Sequence, residues 1–162
     1  MKLNTLAAAG TLACAALFGA ALPAQAQVSG DVIRIGLITD MSSVYADIDG
    51  QGGVEAIKMA IADMGGAVAG KKIEVLFADH QNKADIAAAK AREWFDTQGL
   101  DMLIGGTNSG TALAMAKVAA EKKKPFIVVG AASSALTNDQ CTPYTVHYAY
   151  DTVALAKGTG NA

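Results

Sequence analysis

Disulfide bonding, and metal binding by thiolate or imidazole, draw on residues that this sequence scarcely has. Cysteine occurs twice in 162 residues, at Cys14 and Cys141. Cys14 falls in the N-terminal leader described below. Cys141 alone makes no internal disulfide, so either the fold does without one or the partner thiol lies outside these residues. Histidine also occurs twice, at His80 and His147, and no pair of ligand-forming residues shows metal-site spacing. Neither a metal centre nor a cofactor is expected. Lysine and arginine number 13 against 15 acidic residues, a net charge of −2, which points away from nucleic acid or an anionic membrane as partner.

Two catalytic loops are absent as well. In residues 105–112 (GGTNSGTA), Gly105 and Gly110 have the spacing of a phosphate-binding loop, but Thr111 stands where the lysine must be, so no polyphosphate is neutralised there. A nucleophile elbow would need serine at position 108, which is Asn108.

What is present begins with a leader. Lys2 precedes an apolar, alanine-rich stretch over residues 6–22, and Ala24-Gln25-Ala26 satisfies the small-x-small rule for signal peptidase. Cleavage is expected after Ala26. A lipoprotein signal ending at Cys14 would have too short an apolar core, with Thr11 where an aliphatic residue is wanted, and Pro23 with the cleavage site argues against a membrane anchor. Without Lys2 the basic count falls to 12 and the charge to about −3. An exported, soluble periplasmic protein of one domain's size is expected.

The rest alternates between two periodicities. Residues 32–38 (VIRIGLI) are nearly continuous β-branched and aliphatic sequence, which suits a strand covered on both faces. Val54, Ile57, Ile61 and Met64 then fall on one face of a helix that Gly65-Gly66 stop. Residues 73–77 (IEVLF) predict a second strand. Asn82 is the expected cap of a second helix, with Ile86, Ala87, Ala91, Trp94 and Phe95 inward and an end near Gly99. Residues 102–104 predict a third strand. A third helix runs over residues 113–123, starting near Ser109 and ending in the lysine run 122–124, read as a solvated helix end. Pro125 stops it, residues 126–129 (FIVV) predict a fourth strand, and residues 145–148 a fifth. A last helix begins at Asp151 with little sequence left to cover it, so the chain is read as incomplete. The fold class expected is α/β, a doubly wound, mostly parallel sheet.

In such sheets ligands sit beyond the carboxyl ends of the strands. Three loops there are rich in small and hydroxyl-bearing residues: Thr39 to Ser43, the run 105–111, and Gly130 to Ser134. A helix beginning near Ser109 aims free N–H groups at an anion, so GGTNSGTA reads as a seat for a carboxylate. Asn108 or Ser109 serves equally well as a plain helix cap. Tyr45 lies either against a ligand or in surface packing. His80 has no nucleophile beside it and is read as a hydrogen-bonded surface histidine.

The leader followed by IRIGLITDMSS, GGVEAIKMAIADMGG, KKIEVLFADHQN, LIGGTNSGTALAMAKVAAEKKKPFIVVGAASSALTN and YTVHYAYD resembles the type I periplasmic substrate-binding proteins of ABC transporters, in the branched-chain amino-acid binding family. The resemblance implies two α/β lobes joined by a hinge with a small solute between them, and a membrane permease as partner. It assigns residues 1–26 to the signal peptide, 27–150 to the N-terminal lobe, and 151–162 to the start of a truncated second lobe, with residues 148–151 at the hinge. It places the solute carboxylate at Ser109 with neighbouring amides of Thr107 and Asn108. A backbone carbonyl of Ala131 or Ala132 and the Ser133 hydroxyl answer the ammonium, and aromatic contact comes from Tyr45, with Tyr150 near the hinge. The first loop departs from the amino-acid binders in being shorter and carrying Asp47 and Asp49. Leucine-like amino acids, amides, urea and aromatic carboxylates all occur as ligands in such a family. The expected protein is a monomeric solute receptor and not an enzyme. The alternatives are an extracytoplasmic sensor or enzyme using His80 or Asp40, or a nonfunctional truncated fragment.

Overall fold

The computed structural model describes residues 28–161; the leader and its cleavage site lie outside them. The first apolar run forms β1 (Val32–Thr39), and parallel strands flank it on both sides. One neighbour is β3 (Lys71–Asp79), in register from Val32 opposite Lys72 to Thr39 opposite Asp79. The other is β4 (Met102–Gly105), followed outward by β5 (Phe126–Val128) and β6 (Thr145–His147), all parallel. The outermost member beside β3 is β2 (Ala67–Val68), which is antiparallel, giving the order β2-β3-β1-β4-β5-β6. Strand order reverses at β1. The expected mostly parallel α/β sheet is therefore what the chain forms.

Alternation along the strands divides the side chains between two faces. Gly36 and Ile38 face α3 (Ala84–Thr97) and α4 (Ser109–Lys122), and a Cβ on Gly36 would lie 2.8 Å from both Trp94 and Leu100. The main core sits here. It joins Ile38, Leu103, Phe126 and Val128 of the sheet to Trp94, Met115 and Val118, with the small buried residues Ala87 and Ala91 of α3 and Ala112, Ala116 and Ala119 of α4. Leu37 points the other way, toward Gly53 and the buried Val54 of α2 (Gln51–Asp63). Helices thus lie on both sides of the sheet.

Several local expectations give way. The hairpin of β2 and β3 was not legible: it turns through Ala69 and Gly70, both at positive φ, after Gly65-Gly66 end α2. A two-residue strand leaves no periodic trace. The four-residue helix α1 (Ala46–Asp49) was missed for the same reason. Met64 does not face inward; it is the C-cap residue of α2, past the last helical turn, and exposed. Asn82 is not the cap of α3, because Lys83 takes that position without a side-chain hydrogen bond, while Gln81 and Asn82 both adopt left-handed conformations in the preceding turn. The strand expected over residues 126–129 stops at Val128, and β6 stops at His147. Asp151 does start α5 (Thr152–Gly160), its carboxylate accepting from the Ala154 amide at 2.7 Å, and none of that helix's residues is buried.

The crowding at Gly36 yields a stability prediction. Gly36→Ala forces Trp94 and Leu100 to shift and costs about 1–3 kcal/mol. Urea unfolding checks it through a lower midpoint at unchanged m-value.

Candidate functional site

The carboxyl ends of β1, β4 and β5 bring three loops together. Asp40 organises the first. Fully buried just past β1, its carboxylate accepts from the amides of Ser42, Ser43 and Tyr45 at 3.3, 2.9 and 3.0 Å, and from the Ser43 hydroxyl. Burial alone pushes its pKa up, but the Ser43 hydroxyl and these amides outweigh burial and hold it below the ordinary carboxylate value. Asp79, at the end of β3, accepts from the Met41 and Gln81 amides at 3.0 and 2.7 Å. Burial raises its pKa too, and the donors, led by the Met41 amide, again bring it below the usual range. The D-x-S-S pattern at residues 40–43 is the signal for this loop, an aspartate capping the amides that follow it.

The second loop needs glycine. A Cβ on Gly105 would lie 2.2 Å from the Ile38 carbonyl oxygen, and Gly106, at φ +102°, would push a Cβ to 2.9 Å from Ala112. Two consecutive glycines let β4 turn into α4 while pressed against β1 and the helix. Asn108 then caps α4, its Oδ1 accepting from the Thr111 amide at 3.0 Å. Thr107 donates its hydroxyl to the Asp49 carboxylate, which ties this loop to α1 across 58 residues of sequence.

Ser109, the first residue of α4, faces the third loop. Its Oγ accepts the Ser133 amide at 3.2 Å, and the Ser133 hydroxyl in turn accepts from the Ala135 amide at 3.3 Å. Ser109 and Ser133 therefore meet on the same side of the molecule. Because Ser109 Oγ accepts that bond, its own proton remains available to an external acceptor. Both alanine carbonyls of the third loop are engaged internally. The Ala131 oxygen accepts from His147 Nε2 at 2.6 Å and the Ala132 oxygen from the Thr152 amide at 2.7 Å. Tyr45 leads into α1 at this end of the sheet, partly buried, while Tyr150 is exposed just before the Asp151 cap of α5.

His80 corrects the expectation of a surface histidine. It is 1% exposed: β3 is flanked by β1 and β2 and so is not the outermost strand, and the His80 amide is tied to the Thr39 carbonyl at 2.9 Å. The Asn82 amide donates to His80 Nδ1 at 2.9 Å, which assigns the neutral ring's proton to Nε2. Desolvation lowers its pKa below the ordinary value, against the pull of Asp40, Asp79 and Asp49. With Asp40 equally shut off from solvent, neither residue is placed to meet a substrate.

Away from this end, a depression of about 700 Å³ is lined by Val28, Ser29, Asp101, Lys122, Lys124 and Pro125, at the amino end of β4. Of the three lysines that line it, Lys122 pairs with Asp96 at 2.5 Å and Lys124 with Asp101 at 3.5 Å, while Lys123 is the left-handed cap residue of α4. Among the described residues no cluster of three metal-type ligands occurs, and no helix is long and apolar enough to cross a membrane.

The end of a parallel sheet where loops gather around a helix N-terminus is the place where open α/β sheets hold ligands. The family model described as periplasmic binding protein matches residues 32–162, and the chain belongs to that family. It is 74% identical to a periplasmic binding protein from Burkholderia mallei, over 80% of this chain and 35% of that one, with a TM-score of 0.79. A branched chain amino acid ABC transporter periplasmic ligand-binding protein from Burkholderia xenovorans is 38% identical, over 80% and 36% of the two chains, with a TM-score of 0.72. A solute binding protein of an ABC transporter from Rhodopseudomonas palustris, solved in complex with 3,4-dihydroxy benzoic acid, is 33% identical over 75% and 33%, with a TM-score of 0.69. The chain spans about a third of the length of these solved structures. No curated protein matches it.

His80 makes stability depend on pH. Its folded pKa lies below the ordinary value of ~6.5, so the unfolded chain binds the proton more readily. Its stabilising contribution is complete above about pH 6.5 and is lost as pH falls from there toward the folded pKa. Urea unfolding at about pH 7.5 and about pH 5.5 is expected to reveal a drop in stability on acidification, with His80→Gln flattening that part of the slope.

Proposed function

We propose that this chain is the first lobe of an extracytoplasmic solute receptor of an ABC importer, which holds a small carboxylate-bearing solute at the α4 N-terminus. The observation that carries the reading is the Ser133 amide to Ser109 Oγ bond at 3.2 Å, because it brings two strand-end loops to one helix start and leaves the Ser109 proton to donate. The first amides of α4 and that hydroxyl suit a carboxylate without a cationic side chain, through the helix dipole and short charge-assisted hydrogen bonds. Thr107 and Asn108 shape the seat through Asp49 and the helix cap, and Ser133 supplies the facing hydroxyl. Tyr45 and Tyr150 border it. The Ala131 and Ala132 carbonyls each accept one internal bond and keep a second lone pair for an ammonium, so this lobe accommodates an amino acid as well as an aromatic or other acid without an ammonium.

In this reading residues 1–26 are a cleaved signal peptide, residues 27–150 the lobe, and residues 151–162 the entry to the second lobe. The receptor is a monomer in the periplasm, delivers its solute to a membrane permease, and catalyses no reaction. The relatives' descriptions as an ABC-transporter ligand-binding protein and a solute-binding protein support it. Closure of two lobes over the solute needs tighter contact in the closed state, by ~5.5 kcal/mol to turn a 1:99 equilibrium into 99:1.

Titration with 3,4-dihydroxybenzoate, benzoate and isoleucine, followed by amide NMR, tests the reading. One of them is expected to shift Ser109, Gly110 and Ser133 while the ligand stays chemically unchanged. Ser109→Ala is expected to weaken that binding roughly 10- to 100-fold, as loss of a hydrogen bond to a charged group does. Unchanged affinity, or conversion of the ligand, would overturn the proposal.

A further inference from the structure

The loop after β5 is held from its far side by two bonds that solute recognition does not require. His147, the last residue of β6, sends Nε2 to the Ala131 oxygen at 2.6 Å. A carbonyl only accepts, so Nε2 carries a proton and donates it. Five residues on, the Thr152 amide that opens α5 donates to the Ala132 oxygen at 2.7 Å. The next residue, Ser133, reaches Ser109. Three consecutive residues of one loop thus bond to β6, to α5 and to the start of α4.

We propose that His147 is a positioning residue that fixes the Ala131–Ser133 loop, so that Ser133 meets Ser109 and the same loop grips the first turn of α5. Ala131 is fully buried and carries no functional group of its own, so its carbonyl can be oriented only through the backbone and its acceptor bond. With the imidazole donor in place, displacement of Ser133 is passed through two peptide units to the chain segment leaving the sheet, residues 148–152. The loop is then a mechanical link between the seat at α4 and whatever α5 carries. This rests on the receptor reading for the purpose of the link, while the link itself is a property of the lobe.

Amide hydrogen exchange of the full chain tests it without any solute. His147→Phe, which keeps a ring and removes the donor, is expected to speed exchange at the Ser133 and Thr152 amides about tenfold, as the loss of one hydrogen bond implies, while Leu37 and Leu103 keep their protection. His147→Gln, whose carboxamide nitrogen lies close to the place of Nε2, is expected to restore most of it. Unchanged exchange at both amides overturns the proposal, and so does equal acceleration at Leu37 and Leu103, which marks general loss of stability. Imidazole nitrogen shifts of the unsubstituted protein give a check that needs no variant: a neutral ring protonated on Nε2 supports the link, and one protonated on Nδ1 overturns it. A failed titration with 3,4-dihydroxybenzoate, benzoate and isoleucine would refute the receptor reading and leave the exchange result to decide the role of His147.

Discussion

Burying a carboxylate is tolerable only when donors replace the water it loses, and the carboxyl edge of this sheet is built on that condition. Asp40 lies at 0% exposure with three backbone amides and a hydroxyl directed at it. The amides come from the loop itself, so satisfying the charge and folding the loop are one event. Asp79 repeats the arrangement on the neighbouring strand, and the Met41 amide it binds belongs to the Asp40 loop. The two strand ends are locked to each other through these charges, and α1 starts where Asp40 leaves it.

Around that rigid edge the strand-end loops present mainly backbone and hydroxyl groups, with the Asp49 carboxylate met by the Thr107 hydroxyl. The α4 N-terminus presents amides, Ser109 and Ser133 present hydroxyls, and the carboxylates of Asp40 and Asp79 are turned inward onto backbone donors. Tasks are separated along the chain: Asp40 and Asp79 set the frame, glycines 105 and 106 bring α4 into it, and only then do the two serines meet.

The longer parallel strands were legible because they are nearly continuous runs of β-branched, aliphatic and aromatic residues bounded by glycine, proline or polar loops, as at residues 32–38 and 126–128. The third helix and its lysine-rich end followed from the same contrast. What escaped were features with no period, such as β2 and α1, and a turn whose two left-handed residues took Asn82 away from the helix it seemed made to cap. At the site, the small-residue loops could be recognised from composition and the capping of α4 by Asn108 from residue type. The Asp49 to Thr107 and His147 to Ala131 bonds could not, since each joins residues that only the assembled sheet brings within reach. His80 misled for a related reason. It is buried although it stands at the end of a strand, and nothing local to residues 79–82 announces that.

Alanine supplies much of the buried surface between the two helices on the core face, with Ala87 and Ala91 on α3 and Ala112, Ala116 and Ala119 on α4. A methyl group has no rotamers to change, so where these alanines meet only the larger neighbours Trp94, Met115 and Val118 can repack. Bending or sliding of one helix past the other would open gaps along the alanine rows. The close approach of the two helices therefore favours their moving as one body.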